Sequence, residues 1–152
     1  MLHHHRSCRR RPSPAIPPHV LAPADALAVF AAAPTLVTPG RVAALVLAPD
    51  WRPLDLCLCD DDAEVEDRTR VLLDLYAGDT AGIVLAHTRP AAAGGVAVTP
   101  AEERRFGRLV EHGDACGAPV IDWFVLVGTL AYSLSELGGR PWRWVAPDLE
   151  TP

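Results

Sequence analysis

The fold of this chain is decided by the stretch that begins Gly82-Ile83-Val84-Leu85-Ala86-His87-Thr88-Arg89-Pro90. Gly82 to Ala86 has the length and composition of a buried β-strand, which ends at His87. Thr99-Pro100-Ala101-Glu102 then predicts a helix start, because Thr suits the cap, Pro the first helical position and Glu the reciprocal capping position. Pro119 to Val127 is the most apolar segment and predicts the next strand. A strand, a helix and a second strand in this order indicate an α/β fold.

Further elements are predicted on both sides of this unit. Ala22 to Ala33 is typical of a short helix, and Arg41 to Ala48 with Leu54 to Cys59 of a hairpin of two strands. Glu64 to Tyr76 carries apolar residues at helical spacing, namely Val65, Val71, Leu72, Leu75 and Tyr76. Thr129 to Leu134 predicts a last strand. The predicted class is α/β (α+β), a single domain with a mixed β-sheet flanked by helices.

The helix that begins at Thr99 is predicted to run to about His112, with residues 113–118 as its exit. The organisation of the whole chain follows from these elements. We expect a disordered Arg- and Pro-rich leader over residues 1–20 and a short helix with a linker over 21–40. The mixed α/β domain then covers 41–146, and 147–152 is a tail.

The charged residues are unevenly distributed. The formal net charge is −5, and Arg supplies all 14 basic side chains, since the chain contains no Lys. The absence of Lys, Asn and Gln is typical of a G+C-rich bacterial genome. The basic cluster lies in the leader, at Arg6, Arg9, Arg10 and Arg11. Because nucleic-acid binding needs clustered positive charge, we expect it only through this leader. No apolar run is long enough to cross a bilayer, so no membrane association and a cytoplasmic location are expected.

The cysteines and the acidic run give no metal-site pattern. Cys8, Cys57, Cys59 and Cys116 lack the spacing of a zinc knuckle, and we interpret them as inert thiols in a reducing cytosol, with an oxidised pair as the alternative. The acidic residues of the segment 60–67 suit a solvated helix start. A cation site is the alternative, although the segment lacks the glycine and ligand spacing of a calcium loop.

Five positions align with a known metal-site pattern, in which His-x-His-Pro follows an apolar strand and Ser-x-x-Asp opens a helix. On these residues the chain resembles the RadC-like branch of the JAB/MPN metalloprotease-fold family, in a degenerate form. His87 and Pro90 match the first His and the Pro. Arg89 stands in place of the second His. Thr99 stands in place of the Ser, and Glu102 in place of the Asp.

The resemblance covers about residues 41–138. Ala118-Pro119-Val120-Ile121-Asp122-Trp123 matches the downstream strand of the family, with Trp123 in place of a His, and Ser133-Leu134-Ser135-Glu136-Leu137-Gly138 matches its closing turn. The resemblance implies a JAB/MPN-like sheet with a cytidine-deaminase-like layout. In active relatives the two His and the Asp bind zinc, and a Glu on an earlier strand is the general base. The corresponding strand here, Arg41 to Ala48, contains no Glu.

The resemblance therefore implies a metal site with key groups replaced. A guanidinium stays protonated and cannot coordinate a cation. We expect Arg89 to form an ion pair with Glu102, with His87 nearby, where active relatives hold zinc. No residue is assigned as catalytic.

Three functions are open at this point. The first is a non-catalytic RadC-like domain, without a cofactor, that binds an unknown protein partner or is a structural module. The second is an atypical zinc-dependent, peptidase-like hydrolase with His87 and Glu102 as metal ligands. The third is nucleic-acid binding, suggested by the leader and by the family's association with DNA repair.

Several other residues have a structural interpretation. Asp122 and Ser133 are possible supporting residues of the site, and Asp122, in an apolar strand, needs polar partners such as a turn or an Arg. His112 is expected at the surface. Trp123, Trp142 and Trp144 are interpreted as packing residues, with an aromatic binding surface as the alternative.

Overall fold

A computed structural model describes residues 16–35, 37–91 and 95–144. Most of the predicted leader, with its four arginines, and the predicted tail lie outside these residues, so contact with nucleic acid stays a prediction. The elements are α1 (Pro23–Ala32), β1 (Arg41–Leu47), β2 (Pro53–Asp60), α2 (Val65–Tyr76), β3 (Gly82–Thr88), α3 (Pro100–Cys116), β4 (Val120–Val127), β5 (Leu130–Ser133), α4 (Leu134–Leu137) and a 3₁₀ turn (Pro141–Trp144). Of the helices in the described part of the chain, none is long and apolar enough to span a membrane.

The strands form one mixed sheet in the order β2-β1-β3-β4-β5. β1 is antiparallel to β2 and to β3, and β4 is antiparallel to β5. β3 and β4 are parallel, which requires a crossover, and α3 supplies it. Because α3 begins where β3 ends, the crossover brings His87 next to the first turn of the helix. The predicted mixed α/β class is confirmed.

Both faces of the sheet are covered, which explains the continuous apolar runs in its strands. On one face Val42, Leu85 and Trp123 pack with residues of α2 and α3. On the other face Leu45 and Phe124 pack with residues of α1 and with the 3₁₀ turn. Trp144, in that turn, stacks at a tilt on Phe124 with 6.2 Å between the ring centroids, as its interpretation as a packing residue predicted.

The last residues of the predicted leader and the first helix contribute to the core of the domain. Val20 is fully buried, and its N–H donates to the carbonyl of Trp51 at 2.8 Å. Ala26 and Phe30 of α1 belong to the same core cluster. The physical reason is that β1 is apolar on both faces, so a second layer must cover the face opposite α2 and α3.

Two helices differ from the prediction. Of the predicted apolar positions in α2, Val65 is buried and Leu72 and Tyr76 pack against the core, whereas Val71 and Leu75 are 67% and 72% exposed. The helix also buries Thr69 and Leu73. α3 continues past His112 to Cys116. Gly113 permits this, because a Cβ there would lie 2.5 Å from the carbonyl oxygen of Ala118. Gly117 caps the helix, and its φ of +84° is in the left-handed region.

The thiols that the structure describes are free, at Cys57, Cys59 and Cys116. Cys57 and Cys59 lie on the same face of β2 and pack against the core. Burial, together with the charge of Asp55, raises the pKa of Cys57 to about 11. The raised pKa favours the protonated thiol at Cys57 near neutral pH, and the interpretation of the cysteines as inert thiols stays a prediction.

Candidate functional site

Two of the predicted site residues meet in the interior. His87 lies near the end of β3 and Glu102 in the first turn of α3. Their side chains are 5% and 9% exposed, and His87 Nε2 lies 2.9 Å from Glu102 Oε2. Residues that are distant in sequence are thus joined at the strand end and helix start, as the pattern predicted.

The orientation of Glu102 is fixed by the predicted capping box. Thr99 Oγ accepts a hydrogen bond from the Glu102 N–H at 3.2 Å, and Glu102 Oε1 accepts one from the Thr99 N–H at 2.8 Å. The negative carboxylate also lies at the positive end of the helix. Glu102 therefore both completes the cap of α3 and places a buried negative charge at the start of this helix.

The predicted ion pair between Arg89 and Glu102 is present. Arg89 Nε donates to Glu102 Oε2 at 2.9 Å, and Arg89 Nη2 donates to Glu102 Oε1 at 2.8 Å. The ion pair is therefore bidentate. Arg89 Nη2 also donates to the carbonyl of Ala97 at 2.9 Å. Burial raises the pKa of Glu102, but the hydrogen bonds from Arg89 and Thr99 and the charges of His87 and Arg89 outweigh it, so the pKa falls to about 2.

Trp123 fixes the protonation state of His87. Its indole Nε1–H donates to His87 Nδ1 at 2.7 Å, and the two rings meet edge to face at 84°. Because Nδ1 is an acceptor here, the ring proton of neutral His87 lies on Nε2, from which it is donated to Glu102. Burial also lowers the pKa of His87, against the opposing charge of Glu102. Trp123, interpreted from sequence as a packing residue or part of an aromatic surface, therefore contacts the site directly.

Several arginines pair with carboxylates of the acidic run 60–67. Arg105 lies over the ring of Trp123, 5.3 Å from its centroid, and pairs with Asp61 at 3.0 Å. Arg68 pairs with Asp62 at 2.6 Å, and Arg108 pairs with Glu66 at 2.7 Å. These carboxylates serve ion pairs at the start of α2, which favours the predicted helix start over the cation-site alternative.

The residues at the position where the resemblance implies a metal do not fit a zinc ion. A histidine ligand offers a lone pair to the metal and usually donates its other ring N–H to an acceptor. Here the Trp123 indole is a donor and occupies the lone pair of His87 Nδ1. The proton of neutral His87 then lies on Nε2, which leaves no free lone pair for a metal. Both oxygens of Glu102 are already bonded to donors, and Arg89 places a permanent positive charge beside them. In β1 the residue opposite His87 is Val42, where no carboxylate is available as a base.

Asp122 and Ser133 form a second, separate network. The carboxylate of Asp122 is fully buried. It accepts hydrogen bonds from the Trp123 N–H at 2.7 Å, Ser133 Oγ at 2.5 Å, the Ser135 N–H at 3.0 Å and Trp144 Nε1 at 2.8 Å. Asp122 therefore holds the junction of β5 and α4 and the 3₁₀ turn against β4. This agrees with its expected role as an anchor for a turn.

In comparisons with known proteins, no family model and no curated protein matches this chain. Fold and site define a mixed α/β domain with a buried, fully paired Arg–Glu–His–Trp network where β3 meets α3. The RadC-like resemblance stays a prediction that rests on the matched positions themselves.

Replacing Trp123 with Phe is expected to raise the pKa of His87. The variant lacks the indole donor, so Nδ1 can accept a proton without opposing an N–H group, and Glu102 then stabilises the imidazolium. An NMR titration of the His87 ring resonances in the two proteins measures this. Identical His87 titrations in both proteins would contradict the assigned tautomer.

Proposed function

We propose that this chain is a degenerate RadC-like domain that has lost metal-dependent hydrolysis and acts by binding a protein partner. The observation that carries the proposal is the network of Arg89, Glu102, His87 and Trp123. Its hydrogen bonds and charges satisfy one another inside the protein, so the position that would bind a metal in active relatives has become a structural junction. A binding role does not need a reactive group at this position.

A cleft beside this junction suits a protein segment. It has a volume of about 320 Å³ and lies between α3 and α4, where Phe106, Gly107 and Leu137 line it together with Glu103 and Arg140. Phe106 follows Glu102 by one helical turn. Leu137 is 54% exposed. An apolar floor flanked by charges of both signs is the composition of a surface that binds protein rather than a charged small molecule.

The proposal is tested by photo-crosslinking in cells that produce the protein natively. A photoreactive residue in place of Leu137 is expected to capture one discrete partner. Arg140→Glu in the same chain should abolish this product, because it reverses a charge in the cleft. The same photoreactive residue at Val71, which is 67% exposed on α2, is the control.

Equal capture from both positions, or capture that Arg140→Glu leaves unchanged, would contradict binding in the cleft. Peptidase activity that disappears in His87→Ala would contradict the loss of catalysis.

A further inference from the structure

Three side chains with metal-binding chemistry lie together at the other end of α3. They are Asp74 in the last turn of α2, and His112 and Cys116 in the last two turns of α3. One ligand atom of each lies within 4.8 Å of those of the other two. His112 is half-buried, with its side chain 30% exposed, which refines its predicted surface position.

The sequence spacing explains how α3 presents two ligands. Residues four apart on a helix lie on the same face, one turn apart, so His112 and Cys116 point in the same direction. Packing of α2 against α3 brings Asp74 to them, with His112 Nε2 2.8 Å from Asp74 Oδ1. Cys116 Sγ lies 3.6 Å from the carbonyl oxygen of Gly113. A small shift of these side chains about their Cβ atoms would point all three at one ion.

The electrostatic surroundings favour a cation. The C-terminal end of a helix carries partial negative charge from its unpaired carbonyl groups. Here two such ends adjoin, because the N–H of Gly78, after α2, donates to the carbonyl of Gly117, after α3, at 3.0 Å. Both helices lie wholly within the described residues, and neither has a basic residue in its last turn.

We propose that Asp74, His112 and Cys116 bind one divalent zinc-class ion. An imidazole nitrogen, a thiolate sulfur and one carboxylate oxygen form a ligand set that suits zinc. Magnesium and calcium prefer oxygen ligands alone. The side chain of Asp74 is 59% exposed, so solvent or a partner reaches the fourth coordination position. The ion ties the end of α2 to the end of α3. It is distinct from the former RadC-like position, since His112 follows Glu102 by about 15 Å of helix.

Cobalt is the probe for this site, because a Co²⁺–thiolate bond gives a charge-transfer absorption. The full chain is used with His3, His4 and His5 replaced by Ala, which removes metal binding by the leader. One equivalent of Co²⁺ is expected to bind with the thiolate absorption, and Zn²⁺ should displace it. His112→Ala and Cys116→Ser are each expected to weaken binding about tenfold or more, since even outer-shell changes at metal sites have effects of that size.

Cys59→Ser and His87→Ala are the matched controls and should leave Co²⁺ binding unchanged. A second readout is the unfolding midpoint, which Zn²⁺ should raise in the parent chain but not in Cys116→Ser. Circular dichroism of the metal-free variants is used to check that they are folded.

Absence of one-equivalent binding in the parent chain would overturn the proposal, and so would binding that survives both His112→Ala and Cys116→Ser. Binding lost only in His87→Ala would overturn it as well. That result would place the metal at the former RadC-like position and would count against the proposed function. Loss in the His112 and Cys116 variants leaves the proposed function intact.

Discussion

Asp122→Ala is expected to lower the free energy of unfolding by about 4 kcal/mol or more, one of the two largest effects we predict. Alanine would leave four buried donors without their acceptor, from Trp123, Ser133, Ser135 and Trp144. Each buried donor left unpaired costs about 1–3 kcal/mol, and relaxation of the chain recovers part of the sum. Asp122→Asn, which keeps one acceptor oxygen, should lie between the wild type and alanine.

Urea unfolding measures this effect, with Asp79→Ala as the matched control. Asp79 is exposed, so its replacement is expected to change the free energy of unfolding by less than about 0.5 kcal/mol. A loss in Asp122→Ala that is no larger than the loss in this control would show that the network around Asp122 does not hold β5, α4 and the 3₁₀ turn in place.

Glu102→Gln is expected to lose about 3 kcal/mol of stability at neutral pH, and the loss should disappear in acid. The folded-state pKa of Glu102 is lowered from 4.5 to about 2. A lowered carboxyl pKa stabilises the folded state fully above the unfolded-state pKa, and this contribution is lost as pH falls towards the folded-state value. The difference between wild type and Glu102→Gln should therefore shrink as pH falls from about 5 to about 2.

The measurement is the free energy of unfolding by urea across this pH range. Glu103→Gln is the matched control, because Glu103 is the next residue of α3 and is exposed. Its stability curve should run parallel to that of the wild type. A stability curve of Glu102→Gln that also runs parallel to that of the wild type would contradict the prediction. It would mean that the contacts of Arg89 and His87 with a charged Glu102 do not stabilise the fold.

Most of the sheet and its connections could be predicted from local pattern. The hairpin of β1 and β2, the strand that ends near His87 and the helix start at Thr99 follow from runs of apolar residues and from capping chemistry. The errors have tertiary causes. The burial of Val20 and Phe30 was not predicted, because apolar residues in and before a short helix do not reveal that they cover a sheet face. The end of α3 was placed too early because Gly113, which breaks helices in isolation, is needed here for close packing against Ala118.

The sequence by itself determined that Arg89 cannot bind a metal wherever it lies and that Thr99 with Glu102 specifies a capped helix start. Only the tertiary structure decided which atoms meet. The tautomer of His87 depends on Trp123, 36 residues away, and the His112 contact depends on Asp74, 38 residues away. Each pair joins two different secondary-structure elements, so the periodicity of a single helix or strand cannot reveal it. Such contacts arise when the sheet register and the packing of α2 on α3 bring distant side chains together, so no local pattern in the chain encodes them.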